Sequence, residues 1–227
     1  MNCLWCMEEI THSFSWTDVF FLKKHADLCD ECQSRLEFIK GDRCKICSRK
    51  TSEQLCPDCR DWQQRLGEDP LLFNHSLLHY NPFIQEVIAK WKYRGDYILG
   101  EIFRPFLLHA FKERFHRMEK DLIAVPIPLS KDRLLERGFN QAEMLARFLP
   151  LEMKNVLQRI DGEKQSKKSR KARISSENPF FLSGTVKESV LVVDYIYTTG
   201  VTLRHAASLL KQHGCPNVYA LTLIRGG

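Results

Sequence analysis

Eight cysteines fall as four Cys-x-x-Cys pairs within the first 59 residues: Cys3/Cys6, Cys29/Cys32, Cys44/Cys47 and Cys56/Cys59. No other feature constrains the chain as much. A segment this short, with few long apolar stretches, cannot bury a self-sufficient core, and such segments are commonly held by metal or disulfides. A Cys-x-x-Cys turn sets two thiolates on one side of a tight knuckle, and two knuckles complete a tetrahedral four-sulfur site. Thiolates at that geometry favour zinc, with iron–sulfur as the rival; nothing else in the sequence points to electron transfer. Four thiolates leave no open position, so the expectation is two structural zinc ions and no metal catalysis. Consecutive knuckles would place Cys3, Cys6, Cys29 and Cys32 on one ion and Cys44, Cys47, Cys56 and Cys59 on the other. A cross-braced pairing is the alternative; the shorter loops of the consecutive scheme cost less closure entropy. The ninth cysteine, Cys215, lies just past a helix end and reads as a small packed residue.

The reading of the cysteines as ligands depends on a reducing compartment. The first residues carry no basic leader, and Cys3 and Cys6 arrive where a signal peptide would have its apolar core. The longest early apolar run, Val19-Phe-Phe-Leu22, is far below the roughly 18 residues a membrane helix needs. A cytoplasmic protein with no membrane span is expected. The net charge of +6 is local. Lys164, Lys167, Lys168, Arg170, Lys171 and Arg173 fall within ten positions that hold no acid, so the remainder nets to about zero.

A polar stretch at 63–69 ends at Pro70, which suggests a zinc domain over residues 1–65 and a second domain over 66–227. The second domain alternates predicted helices and strands. Asn81-Pro82 opens a helix through Trp91 to about Arg94. Ile102 to Met118 reads as helical, with Pro105 arguing for a late start. Asn140 to Leu149 is predicted as a helix, with Asn140 as cap and Glu143 at the capping-box position. Thr202 to His213 is another, closed by Gly214. Leu122–Pro126, Val190–Val193 and Val218–Ile224 read as buried strands. Continuous apolar strands between helices imply an α/β fold with a mostly parallel sheet covered on both faces.

Val192-Val-Asp-Tyr-Ile-Tyr-Thr-Thr-Gly-Val-Thr202 runs from buried strand, through an acid, into a Thr-Thr-Gly turn and a helix. Small hydroxyl residues and a glycine let backbone N–H groups converge, and the helix adds its positive N-terminal end, which suits phosphate. The alternative is an ordinary strand-to-helix turn in which Thr198 or Thr202 only caps.

This stretch resembles the phosphoribosyl-pyrophosphate motif of type I phosphoribosyltransferases. The resemblance gives Asp194 the ribose-binding role of that motif's first acid. It makes Thr198, Thr199, Gly200 and Thr202 the cradle of the 5′-phosphate, with magnesium as a companion of the ligand. Tyr195 stands where the motif has its second acid, and a phenol brings no charge to magnesium at neutral pH. Three further stretches, Trp91-Lys-Tyr-Arg-Gly-Asp96, Val125-Pro-Ile-Pro-Leu-Ser130 with Arg133 and Arg137-Gly-Phe-Asn-Gln141, and Glu163-Lys-Gln-Ser166, occur in order behind the cysteine module. The ordered set, over essentially the whole chain, resembles the ComF family of late-competence proteins, its ComFC branch most closely.

That resemblance implies a role in natural transformation, in handling incoming single-stranded DNA beside a DNA-translocating helicase of the same operon. It makes the Pro126–Ser130 loop face pyrophosphate and residues 164–173 a mobile loop over the site. Arg133 and Arg137 become candidate anion contacts. Three functions remain open on the sequence: single-stranded DNA binding through the basic run, with Trp91 and Tyr93 either stacking platforms or aromatics packed inward from their helix; phosphoribosyl transfer to an unknown acceptor; and an adaptor whose ribbons dock the helicase.

Overall fold

The computed structural model describes residues 2–10, 27–93, 96–160 and 177–226. The basic residues Lys164, Lys167, Lys168, Arg170, Lys171 and Arg173 lie outside them. So does Glu163-Lys-Gln-Ser166.

Four parallel strands form the main sheet: β1 (Phe73–His79), β2 (Leu122–Pro126), β5 (Ser189–Tyr197) and β6 (Val218–Arg225), in the order β1-β6-β5-β2. A separate antiparallel ribbon pairs β3 (Leu157–Arg159) with β4 (Phe180–Leu182). Because side chains alternate along a strand, β5 feeds two cores at once. Val190 and Val192 join one, Leu191 and Val193 the other, and all four are fully buried. This is why the strand reads as an unbroken apolar run.

The helices are α1 (Asp30–Ser34), α2 (Pro57–Leu66), α3 (Pro82–Tyr93), α4 (Arg104–Phe115), α5 (Lys131–Arg137), α6 (Gln141–Arg147) and α7 (Val201–Gln212). Helices α3, α4 and α6 supply the first core, whose largest buried side chains include Trp91, Phe111 and Phe115. Helix α7 packs Leu203, Ala206, Ala207 and Leu210 into the second. The late start anticipated from Pro105 is found: α4 begins at Arg104 with the proline in its first turn, behind a 3-10 segment at Tyr97–Phe103. The Asn140 cap also forms, its Oδ1 accepting from the Ala142 N–H at 3.0 Å. Glu143 does not complete a capping box; it pairs with Arg147 at 2.6 Å.

Strand β1 was not anticipated, because polar residues interrupt its pattern. Asn74 and Ser76 are buried, and they satisfy one another across the sheet with Thr222. Asn74 Nδ2 donates to Ser76 Oγ (2.8 Å), Ser76 and Thr222 hydroxyls meet at 2.7 Å, and Thr222 Oγ1 donates to Asn74 Oδ1 (3.1 Å). The cysteine module covers this edge strand. Ile39 N–H donates to Leu77 O (2.8 Å), His79 N–H to Glu37 O (2.8 Å) and Asn74 N–H to Ile46 O (2.6 Å). Ser48, in the left-handed region at φ 62°, donates its hydroxyl to Asn74 O and accepts from Ser76 N–H. Edge N–H and C=O groups that would otherwise invite another chain are thereby used.

Candidate functional site

The structure brings the cysteines together in consecutive pairs. The sulfurs of Cys3, Cys6, Cys29 and Cys32 lie within 4.8 Å of one another, as do those of Cys44, Cys47, Cys56 and Cys59. Cys6 and Cys29 sulfurs are 3.8 Å apart, and Cys47 and Cys56 sulfurs 3.5 Å. The edge of a tetrahedron of metal–thiolate bonds near 2.3 Å is about 3.8 Å, so both clusters fit a four-thiolate ion. All nine cysteines are free thiols. Cys215 is buried, its thiol directed at the Glu188 and Asn217 carbonyls, and it joins neither cluster.

The outer cluster has one exposed and one half-buried member, and packs with the first core through Cys3, Cys32, Leu28 and Leu36. The inner cluster is wholly buried in the second core. The inner sulfurs have charged company. Arg225, on β6, directs Nη2 at Cys47 Sγ (3.9 Å), and Arg204, on α7, directs Nη2 at Cys59 Sγ (4.0 Å). Both arginines are at least 96% buried, and two guanidiniums match the net double negative charge of four thiolates around a divalent ion.

The same arginines reach the Thr-Thr-Gly turn. Arg225 Nη1 donates to Thr198 O (3.1 Å) and to Gly226 O, and its guanidinium lies 4.7 Å over the Tyr197 ring. Arg204 donates to Tyr197 Oη (2.8 Å) and forks onto Asp69 Oδ2 at 2.7 and 3.1 Å. Trp62, on α2 beside Cys59, donates its indole N–H to Thr199 O at 3.0 Å. Two consecutive carbonyls of the turn are thus held from the cluster side. Gly200 follows with φ 78°, and a Cβ there would strike Tyr197 Oη and Arg204 Nη1, so the position requires glycine on both counts. Helix α7 starts at Val201 with no side chain capping it, which leaves its first-turn N–H groups for a ligand.

The front of the turn opens on a cleft of about 220 Å³ at the carboxyl end of β5. Asp194, Tyr195, Thr198, Thr199, Thr202 and Arg133 all line it, facing the 127–129 loop. Gly200 is buried behind them. Asp194 is the one carboxylate among the described lining residues. Burial pushes its pKa up to about 6, against the Tyr195 N–H (2.7 Å) and the positive charges of Lys92, Arg159 and Arg137, which favour the ionised form. Lys92 Nζ sits 4.0 Å over the Tyr195 ring, at the place where the motif's second acid would stand.

Arg137 does not line the cleft; it is buried and donates to Gln141 Oε1 at 3.1 Å. Trp91 is fully buried between Phe103 and Phe139, so it offers no face for stacking a base. Two cleft residues were not anticipated in that role, Arg159 on β3 and Asn140, and neither was Lys92, which stands over the Tyr195 ring. The supporting Trp62, Arg204 and Arg225 were missed as well. Their signal was available: Arg204 sits among Leu203, Ala206 and Ala207, and Arg225 ends an apolar strand, so both are charges on buried faces.

No protein-family model matches the chain. Over 98% of its length it is 36% identical to Competence protein ComFC of Bacillus subtilis, covering 94% of that protein. Over 99% it is 30% identical to Competence protein ComFC of Streptococcus pneumoniae, covering all of it. Among solved structures, a hypoxanthine phosphoribosyltransferase from Staphylococcus aureus aligns with a TM-score of 0.34 at 16% identity, over 56% of this chain and 64% of that one.

Proposed function

The chain belongs to the ComFC family of competence proteins, and from that premise we propose that it handles single-stranded DNA in the cytoplasm during natural transformation, with a phosphoribosyl-phosphate site in its cleft and a structural zinc ion in each cysteine cluster. One observation carries the ligand assignment. Asp194 and the Thr198, Thr199 and Thr202 hydroxyls open on a single cleft at the carboxyl end of a parallel strand, against an uncapped helix N-terminus. In phosphoribosyl pyrophosphate the turn takes the 5′-phosphate, Asp194 accepts from the ribose hydroxyls, and Arg133 meets the pyrophosphate. With one carboxylate at hand, magnesium arrives with the pyrophosphate and is not held by a protein cage.

The reading stops at binding. Tyr195 supplies no second charge, and Lys92 over its ring makes that corner cationic. A helicase of the same operon is the proposed protein partner. No helix among the described residues is long and apolar enough to cross a membrane.

The test is calorimetric titration of the full chain with phosphoribosyl pyrophosphate, with and without magnesium, beside Asp194→Ala. Magnesium-dependent binding that the variant loses supports the assignment. No heat at millimolar ligand removes the ligand and leaves the DNA role standing alone.

A further inference from the structure

A second concavity lies at the opposite edge of the sheet and shares no lining residue with the cleft. Its larger part, about 540 Å³, runs between residues 38–43 and helix α4, with β1 as its floor. A smaller part of about 300 Å³ continues it along β1. Arg43 and His75 line both, which makes them one groove.

The charge in this groove is one-sided. Lys40, Arg43, Lys45 and Arg114 line it, and Glu113 is the sole acid among the described lining residues. Glu113 is already engaged, with His109 Nε2 at 3.3 Å. Among the described residues Arg43 donates to a backbone carbonyl, Ile39 O at 2.7 Å. Arg114 lies 4.6 Å over the Phe73 ring, with no carboxylate ion-paired to it among the described residues. Arg43 and Arg114 both line the smaller part of the groove. His75, half-buried beside them, has its pKa lowered to about 4 by desolvation and by the charges of Arg43 and Arg114, and is a neutral imidazole at physiological pH. Arg43 is half-buried and Arg114 exposed, and the four cations of the groove outnumber its one acid, Glu113, so an anion entering it is attracted. Phe38 and Phe106 meet edge to face at 5.0 Å on the groove's wall, adding half-buried aromatic surface beside the charges.

We propose that this groove is a binding track for single-stranded nucleic acid, with Arg43 and Arg114 on backbone phosphates and Phe38 and Phe106 against bases. Cations that follow a strand beside aromatic surface are the recurring solution for such ligands. The proposal rests on the DNA-handling reading and locates it. It needs no contribution from the cleft and none from the basic run.

The experiment is fluorescence anisotropy of a labelled oligothymidine with the full chain over a salt series. Each single-strand phosphate contact contributes about 0.7 to the slope of log affinity against log salt, so Arg43→Gln with Arg114→Gln lowers that slope by about 1.4. Glu113→Gln, which removes the one acid, tightens binding, a gain no folding defect can mimic. Unchanged affinity of the variants for phosphoribosyl pyrophosphate shows that their fold is intact. An unaltered slope in the double variant, while the unsubstituted chain binds, overturns the groove and leaves the DNA reading standing. Displacement of the oligonucleotide by polyglutamate as readily as by unlabelled oligothymidine also overturns it, in favour of an acidic protein segment. Failure of the unsubstituted chain to bind at low salt overturns both readings together.

Discussion

The two cysteine clusters share a ligand set and a geometry, yet the fold uses them differently. The outer one has an exposed member, packs on the first core, and has no arginine hydrogen-bonded to its sulfurs among the described residues. The inner one is buried, flanked by two buried arginines, and one residue deep behind the Thr-Thr-Gly turn. The outer cluster is a staple on the surface of the fold; the inner one belongs to the wall of the candidate site. An identical set of four cysteines thus says little about role. What distinguishes the inner cluster is that the arginines beside its sulfurs also reach the turn and its flanking Tyr197.

The largest expected difference is in the fold itself. A structural zinc site contributes on the order of 10–16 kcal/mol, comparable to the entire 5–15 kcal/mol of a domain. Cys47→Ser therefore abolishes cooperative melting of the sheet, read by circular dichroism and by hydrogen exchange in β1 and β6. Cys6→Ser loses the outer ion and leaves the sheet's transition in place. Equal damage from both would break the comparison.

The arginine shell comes next. Arg204→Met strands Asp69, whose side chain is 6% exposed, and costs about 3–5 kcal/mol in urea melts. A cation beside the outer cluster, Lys90 at 5.2 Å over the Trp5 ring, gives the contrast: Lys90→Met costs under about 1 kcal/mol.

Asp194 gives a pH signature at the front of the same wall. Its folded pKa of about 6 lies above the ordinary carboxylate value, so between the two the native state holds a proton that the unfolded chain has released. Stability is therefore greatest below that window and falls as pH rises through about 6, by about 2–3 kcal/mol in all. Asp194→Asn flattens the profile, which a pH series of melts would read. Trp62→Phe has a smaller effect than the loss of Arg204 or of the Asp194 charge. It removes the one indole hydrogen bond to Thr199 O, costs about 1 kcal/mol, and weakens phosphoribosyl pyrophosphate binding by about fivefold in calorimetry.

The apolar runs at 122–126, 190–193 and 218–224 announced their strands because each is buried on both faces. The Cys-x-x-Cys spacing announced the clusters, and the acid-to-glycine stretch announced the turn. Strand β1 stayed hidden because Asn74, Ser76 and Thr222 satisfy one another inside the sheet, and a polar trio defeats a hydrophobicity pattern. Trp91 stayed open between platform and core for the opposite reason: lysine on either side makes an aromatic look exposed, and the folded helix turns it inward. The tie between cluster and turn was not legible, since Trp62 and Thr199 stand 137 positions apart and only the folded chain joins them.

The account's central claim is that the inner cluster is part of the phosphate turn's support and the outer one is not. Cadmium NMR of the cadmium-substituted chain, titrated with phosphoribosyl pyrophosphate and magnesium to saturation, tests it most directly. Two resonances are expected, and Cys6→Ser assigns the outer one by removing it. The account predicts that the inner resonance shifts on binding, that the outer does not, and that Arg225→Met abolishes the shift. Two unmoved resonances at saturation, or equal movement of both, would contradict it.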